Sequence, residues 1–347
     1  MKYPDFLQEN GKIGFIAPSF GCASLEPYHT RFRSALSFFE NKGYSLEIGQ
    51  NVHSEDGFGK STTPEKCGME INDFIINRRS DVIISVGGGE TMCEDLPFVD
   101  FEKISASKPI WFMGYSDNTN LTFTLPTLCD IAAIYGPCAS SFGMRPVHEY
   151  LTDSFDLLCG KKLSFTNYGK WEKESLSSPE DPTATLNATE PFELSVFEGN
   201  RIYEKEKLTL NGRLIGGCLD LLCCLCGTSF DKVRDFSEKY KEDGIIWFFE
   251  ACDLNSVAVA RALWQLRNAG WFENVKGFIF GRPLHFNENE FGLDCNEAAR
   301  HALGDFDLPM IFNLDIGHLP PQMPIISGAI GNIEVNGNSV SVSYELR

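Results

Sequence analysis

Three residues of this chain are of the types that acyl transfer uses, and each stands where an apolar run ends. Ser116 lies in Met113-Gly114-Tyr115-Ser116-Asp117-Asn118, after the apolar run Pro109-Ile110-Trp111-Phe112 and before the polar start of a helical pattern. A serine at such a strand-to-helix turn has its hydroxyl lifted out of the sheet and is surrounded by backbone N–H groups without helical partners. Both features suit a nucleophile that attacks a carbonyl. Ser and Asp also cap helices, and on this stretch alone capping is the more ordinary explanation of them. The Gly-x-Ser-x-Gly elbow is not met, because Asn118 stands in place of the second Gly. Glu250 closes the run Gly244-Ile245-Ile246-Trp247-Phe248-Phe249, and His318 follows Pro309–Leu314 by way of Asp315-Ile316-Gly317. A lone Glu or His at such a place is ordinarily a solvated cap or a hydrogen-bonded structural residue. Together the three supply a nucleophile, a base, and a carboxylate that fixes the imidazole and stabilises its cation.

The elements that must position these residues read off in order. Lys12–Ser19 is a strand entering a turn. Glu26–Lys42 has helical spacing, with Phe32, Leu36 and Phe39 on one face, and Gly43 stops it. Tyr44–Ile48 is a strand, Pro64 opens a helix that runs to about Arg79, and Asp81–Val86 is a strand entering Gly87-Gly88-Gly89. The Ser116 strand and helix and a strand at Ile131–Tyr135 follow. Such alternation predicts an α/β fold, with an N-terminal doubly wound parallel sheet, in which ligands bind beyond the carboxyl ends of the strands. Both the glycine turn and Ser116 fall at such ends. The three glycines suit a tight turn, a phosphate cradle or an oxyanion donor, and neither the dinucleotide nor the P-loop pattern is complete.

Residues 161–206 change character. Ser, Pro, Thr and Glu dominate, with Trp171, Phe192, Phe197 and Tyr203 spaced through them, as in a connecting segment or flap. Its aromatics either pin the loop to the core or stack on a ligand, and Trp171 offers the largest face. A C-terminal mixed α/β domain follows. It comprises Gly212–Gly217, the Glu250 strand, a helix at Asn255–Asn268, strands at Val275–Phe280 and Pro309–Leu314, and an alternating tail over Ile325–Glu345 with a hairpin turn at Asn336-Gly337. The domain reading is therefore 1–160, 161–206 and 207–347, with the active site expected where the two domains meet.

Composition narrows the classes. The chain has 347 residues, of which 43% are hydrophobic, and a formal charge of −18. It shows no Lys/Arg cluster, so no nucleic-acid partner is expected. No apolar run reaches about 18 residues, so no membrane partner is expected either. Twelve cysteines are scattered, several in apolar runs, as in a reducing cytosol rather than a disulfide scaffold. Cys223-x-x-Cys226 begins within the apolar run Leu219–Leu225 and reads as packing in a buried helix, since no second pair matches it. No ligand set for a metal and no motif for a cofactor is present, and none is expected.

The ordered blocks Ile16-Ala17-Pro18-Ser19, Gly87-Gly88 with Leu96-Pro97-Phe98-Val99-Asp100, and Gly114-Tyr115-Ser116-Asp117 resemble the LD-carboxypeptidase serine peptidases, a family that includes the microcin C self-immunity proteins. So do Gly212–Gly217 with Gly227-Thr228, Phe248-Phe249-Glu250, Gly281-Arg282 and Gly317-His318. The resemblance spans nearly the whole chain. It implies a catalytic triad of Ser116, Glu250 and His318 and an oxyanion hole from the backbone N–H groups of Gly88 and Asp117. It also implies a cytoplasmic homodimer that needs no metal. Departures are Cys218 where the family has Asn, and Asn118-Thr119-Asn120 in place of a more apolar stretch. The acid Glu90 after the glycines and the long 161–206 segment resemble the immunity branch, which cleaves the amide joining a peptidyl or aminoacyl group to a nucleotide-like moiety. Glu90 and Trp171 are then candidate substrate contacts. The alternatives are a murein tetrapeptide LD-carboxypeptidase, and a non-catalytic small-ligand binding protein that uses the glycine turn.

Overall fold

The computed structural model describes residues 1–21, 25–56, 59–204 and 206–347. Two compact units emerge. The first comprises Met1–Leu163, Glu174–Asn187 and Pro324–Ile326; the second comprises Ser164–Lys173, Ala188–Met323 and Ser327–Arg347.

The first unit opens with β1 (Lys12–Ile16), α1 (Tyr28–Glu40), β2 (Ser45–Ile48), α2 (Pro64–Ile76) and β3 (Val82–Ser85). It continues with α3 (Phe101–Ala106), β4 (Trp111–Gly114), α4 (Thr119–Cys129), β5 (Ala133–Tyr135) and α5 (Glu149–Leu158). Pro64 occupies the first helical turn of α2, where its missing N–H costs nothing. The strands pair in parallel in the order β5-β4-β3-β1-β2. Strands β3 and β4 are buried along their whole length, which is why they read as continuous apolar runs rather than alternating ones. Ile16, Ile71, Phe74, Ile83, Phe112, Leu121 and Leu125 share one core cluster beneath this sheet.

The second unit holds β6 (Ser164–Thr166), β7 (Lys170–Glu172), β8 (Ala188–Pro191), β9 (Ser195–Glu198), β10 (Arg201–Ile202) and the long β11 (Lys207–Cys218). Then come α6 (Leu219–Leu225), α7 (Val233–Lys239), β12 (Ile245–Glu250), α8 (Ser256–Asn268), β13 (Val275–Gly281), α9 (Cys295–Leu303) and β14 (Pro309–Leu314). The chain ends with β15 (Ile325–Ser327), β16 (Ile330–Asn336) and β17 (Ser339–Glu345). Nine strands form a mixed sheet in the order β10-β9-β14-β13-β12-β11-β16-β17-β6. The central four, β11 to β14, are parallel, and antiparallel strands flank them. The mixed α/β expectation for the C-terminal half holds. Asn255 caps α8 by accepting from the Ala258 N–H at 2.9 Å.

Three readings of the sequence change. Residues 161–206 carry five strands: β6, β9 and β10 belong to the nine-stranded sheet, and β7 and β8 form a hairpin of their own. Low apolar content there reflects short strands with half-exposed faces. The tail's hairpin at Asn336-Gly337 holds, with β16 and β17 paired about it, but β15 does not join the second sheet: it lies at the edge of the first sheet beside β5. Third, Cys223 and Cys226 are half-buried and Cys224 is exposed, so they do not pack the core. The buried face of α6 is Leu219, Leu222 and Leu225, and the cysteines fall between these positions on the helix. Among the described residues no helix is long and apolar enough to cross a membrane.

Candidate functional site

In the first unit, β4 ends at Gly114 and a single 3₁₀ turn, Ser116–Asn118, leads into α4. Ser116 has φ +62°, the left-handed region that side chains with a Cβ rarely adopt. Such a residue costs on the order of 1–3 kcal/mol unless its surroundings enforce it, and strain of this kind clusters at functional turns. The enforcing contacts are visible. Tyr135 Oη accepts from the Ser116 N–H at 3.2 Å. Asn118 Nδ2 donates to Gly87 O at 2.8 Å and to Tyr115 O at 3.0 Å. The residue that breaks the Gly-x-Ser-x-Gly pattern is thus the clamp that joins the elbow to the glycine turn.

That turn closes on Ser116. A Cβ on Gly88 would lie 3.1 Å from Ser116 Cβ and 3.2 Å from its Oγ, so the backbone of Gly88 borders the serine hydroxyl directly. Phe20 N–H donates to Gly88 O at 2.9 Å, and Ser85 Oγ donates to Gly87 O at 2.9 Å. Asp117 is fully buried. Its carboxyl accepts from Ser19 Oγ at 2.5 Å, from the Met92 N–H at 2.9 Å and from Asn120 Nδ2 at 3.1 Å. Burial pushes its pKa up from the usual carboxylate value, against the pull of these donors. Behind it Asp95, 3% exposed, is pushed up to about 8 by burial and by the charge of Asp117. Glu90 is exposed, one residue beyond the glycines.

In the second unit, Glu250 ends β12 with its side chain wholly buried, and its Oε2 lies 2.8 Å from His318 Nδ1. Several bonds hold the loop that carries His318. Arg282 pairs with Asp315 at 2.7 Å and donates to Leu319 O at 2.9 Å. Tyr168 N–H donates to Asp315 Oδ2 and Glu172 N–H to Pro320 O, each at 2.7 Å. Burial alone would lower the pKa of His318. The Glu250 charge, with hydrogen bonds to Cys252 and Glu250, outweighs it and holds the imidazole well above its ordinary value of 6.5.

Trp171 stands half-buried on β7 in this same unit. Its Nε1 donates to Pro191 O at 3.1 Å, Phe286 meets it edge-on at 5.3 Å, and the Arg282 guanidinium sits 5.3 Å from its ring. These rings border a cavity of about 330 Å³ that Glu190, Glu193 and Asn313 also line. The indole is thus pinned, and it also walls a cavity. Among the described residues no group of three His, Cys, Asp or Glu side chains could hold a metal ion.

Within the first unit the structure brings together Ser116, Gly88 and Asp117; within the second it brings together Glu250 and His318. Sequence reasoning left Ser19, Asp95, Tyr135 and Cys252 without a role. Ser19 alone had a signal, as the last residue of the first strand's turn, and the other three become neighbours of the site only through the fold.

The first unit holds an elbow serine bordered by a glycine turn, the second a buried carboxylate–imidazole pair, and the class of protein is given by the family that both halves match, a peptidase family. The LD-carboxypeptidase N-terminal domain matches residues 13–136 and the LD-carboxypeptidase C-terminal domain matches residues 211–333. The chain belongs to the LD-carboxypeptidase family. It is similar to the microcin C7 self-immunity protein MccF of Escherichia coli, with 26% identity over 96% of this chain and 93% of the relative. A solved MccF-like protein from Bacillus anthracis shares its fold, with a TM-score of 0.82, 22% identity, and coverage of 99% of this chain and 100% of that one. So does MccF in complex with aspartyl sulfamoyl adenosine, with a TM-score of 0.79, 22% identity, and coverage of 99% and 98%.

Proposed function

We propose that the protein is a serine hydrolase that cleaves the amide bond between a peptidyl or aminoacyl group and a nucleotide-like moiety. The observation that carries this reading is the buried Glu250 Oε2···His318 Nδ1 pair at 2.8 Å. A carboxylate on Nδ1 fixes the ring and its tautomer, and leaves Nε2 as the nitrogen that accepts a proton. Ser116 Oγ attacks the acyl carbonyl as its proton passes to His318. Glu250 stabilises the imidazolium. The backbone N–H groups of Gly88 and Asp117 receive the oxyanion. His318 then returns the proton to the leaving amine, and water, deprotonated by His318, releases the acyl group from Ser116.

Support for the substrate comes from three sides. MccF has been solved with aspartyl sulfamoyl adenosine, an acyl group joined to a nucleoside. Trp171 walls a cavity with Phe286 and can stack on a base. Glu90 lies beside the glycine turn as an exposed acid that can accept from a substrate amine. A murein tetrapeptide is the competing substrate, since the family is that of LD-carboxypeptidases. The same reading makes the protein a cytoplasmic homodimer without a bound cofactor. Incubation with aspartyl sulfamoyl adenosine and, separately, with a murein tetrapeptide decides the matter. Release of aspartate from the first supports the proposal; release of terminal D-Ala alone shows a murein carboxypeptidase. Turnover of neither, with ligand binding retained, shows a binding protein.

A further inference from the structure

The glycine turn after β3 is held by side chains that the triad does not use. Strands β3 and β4 pair in parallel, with Ile84 opposite Met113, so the turns that follow them leave the sheet side by side. Two side chains meet at the Gly87 carbonyl between these turns. Ser85, the last residue of β3 and fully buried, donates from Oγ to Gly87 O at 2.9 Å. Asn118, fully buried at the end of the Ser116 turn, donates from Nδ2 to the same oxygen at 2.8 Å. Both acceptor positions of that carbonyl are thereby filled. On the next peptide unit, Gly88 O accepts from the Phe20 N–H at 2.9 Å. Among the described residues none accepts from the Gly88 N–H.

We propose that Ser85 and Asn118 are positioning residues for the Gly88 N–H and act through the Gly87 carbonyl. Gly87 C=O and Gly88 N–H belong to one peptide unit. That unit is planar and trans, so the two groups point in opposite directions. Fixing the oxygen therefore fixes the line along which the N–H donates. Glycine on both sides of the unit leaves it free to rotate where residues with a Cβ would resist. A half turn would bring the carbonyl oxygen to where the N–H stands, and it would repel the negative charge that develops on a substrate carbonyl. Two donors on one carbonyl also polarise the amide, which makes its N–H a stronger donor. Asn118 links this peptide to the nucleophile, since its Nδ2 also donates to Tyr115 O, in the residue before Ser116, at 3.0 Å. This inference rests on the reading of the Gly88 N–H as an oxyanion donor.

The test measures hydrolysis of aspartyl sulfamoyl adenosine by the whole protein, and its affinity for a boronic acid analogue in which boron replaces the aspartyl carbonyl carbon. Ser116 Oγ adds to boron as its proton passes to His318, and the tetrahedral boronate places one oxygen where the oxyanion forms. The variants are Ser85→Ala, Asn118→Ala and the two combined. We expect kcat of the double variant to fall by about 100- to 1,000-fold, the scale of one lost oxyanion donor, with KM nearly unchanged. Each single variant keeps one donor on Gly87 O and should lose less. Boronate affinity should weaken by the same factor as kcat/KM, because both report the tetrahedral state. In protein made with 13C,15N-glycine, only Gly88, Gly89 and Gly217 follow another glycine, and the Gly88 amide resonance should shift in both single variants. A double variant that keeps the wild-type kcat, even with a lower melting temperature, overturns the inference. So does a fall in kcat that leaves boronate affinity unchanged, since the donor would then be in place. Should the double variant fail to fold, Ser85→Ala decides alone. Wild-type protein that neither turns over the substrate nor takes up the boronate would instead overturn the hydrolase reading. The Gly88 resonance then decides the positioning, and a resonance unmoved in both single variants overturns it.

Discussion

Gly317 presses its backbone against Glu250. A Cβ on Gly317 would lie 2.6 Å from Glu250 Oε2 and 2.7 Å from Glu250 Cβ, and Gly317 has φ +98°. The residue before His318 is therefore glycine for two independent reasons, steric and conformational. The approach is what lets the imidazole of the next residue reach a carboxylate buried at the end of β12.

Gly317→Ala should separate the pair. The added methyl forces the Glu250 carboxylate or the loop to shift. We expect a loss of activity of about 100-fold or more, the cost of an ångström-scale misplacement, and a lower melting temperature. Kinetics together with thermal unfolding check this, and a fully active variant would show that the loop yields.

Ser116→Ala should abolish turnover while ligand binding persists. Loss of a triad nucleophile lowers kcat by about 10⁶-fold. Rates on aspartyl sulfamoyl adenosine and calorimetric binding of the same compound measure the two effects. A tenth of the wild-type rate in a clean preparation would remove Ser116 from the mechanism.

The pH profile should have its acid limb above the usual histidine range. The raised pKa of His318 means that the imidazolium persists to higher pH, and an imidazolium cannot take the serine proton. Activity therefore falls as pH drops through the raised value. Glu250→Gln removes the charge that raises it. The limb should move to lower pH, and kcat should fall by about 10⁴-fold, the scale seen when a triad carboxylate becomes an amide. A limb unmoved by Glu250→Gln would contradict the pairing.

Asp95→Asn should flatten the dependence of stability on pH. Asp95 is held neutral in the folded protein up to about pH 8 by burial and by Asp117, whereas unfolded it ionises near 3.9. Between these values the folded state binds more protons, so stability contributed at this site declines as pH rises. The amide stays neutral throughout. Melting temperatures at pH 5 and pH 8 should converge in the variant, with a gain of about 2–4 °C or more at pH 8. An unchanged slope would show that Asp95 ionises freely in the folded state.

Trp171→Ala should discriminate between substrates. Stacking of a base on an aromatic contributes on the order of 1–3 kcal/mol, so kcat/KM for the nucleoside compound should drop roughly tenfold or more. A murein tetrapeptide should be affected little. Equal losses on both would mean that the indole only holds β7, through Pro191 and Arg282, in place.

Local sequence carried much of this protein. The strands that lead to Ser116 and end at Glu250 are apolar along their whole length because both faces are buried, and continuous burial is legible without the fold. The turn after Gly114, the helix starts at Pro64 and Asn255, and the hairpin at Gly337 rest on the chemistry of one or two residues. The family blocks lie at these same places, so the order of Ser116, Glu250 and His318 along the chain could be read in advance. Tertiary structure decided what those patterns do not encode. The bond between Glu250 and His318 joins residues 68 apart, and the Asp220 carboxylate accepts from the backbone N–H groups of Cys252 and Asp253, 32 and 33 positions away. Both depend on which parallel strands lie next to each other and in what register, which hydrogen bonding across the sheet settles and periodicity along the chain does not. The same holds for β15, whose two isoleucines, Ile325 and Ile326, continue the tail's apolar pattern and yet pair beside β5 in the first sheet. An apolar strand records that it will be buried, but its partner strand determines where.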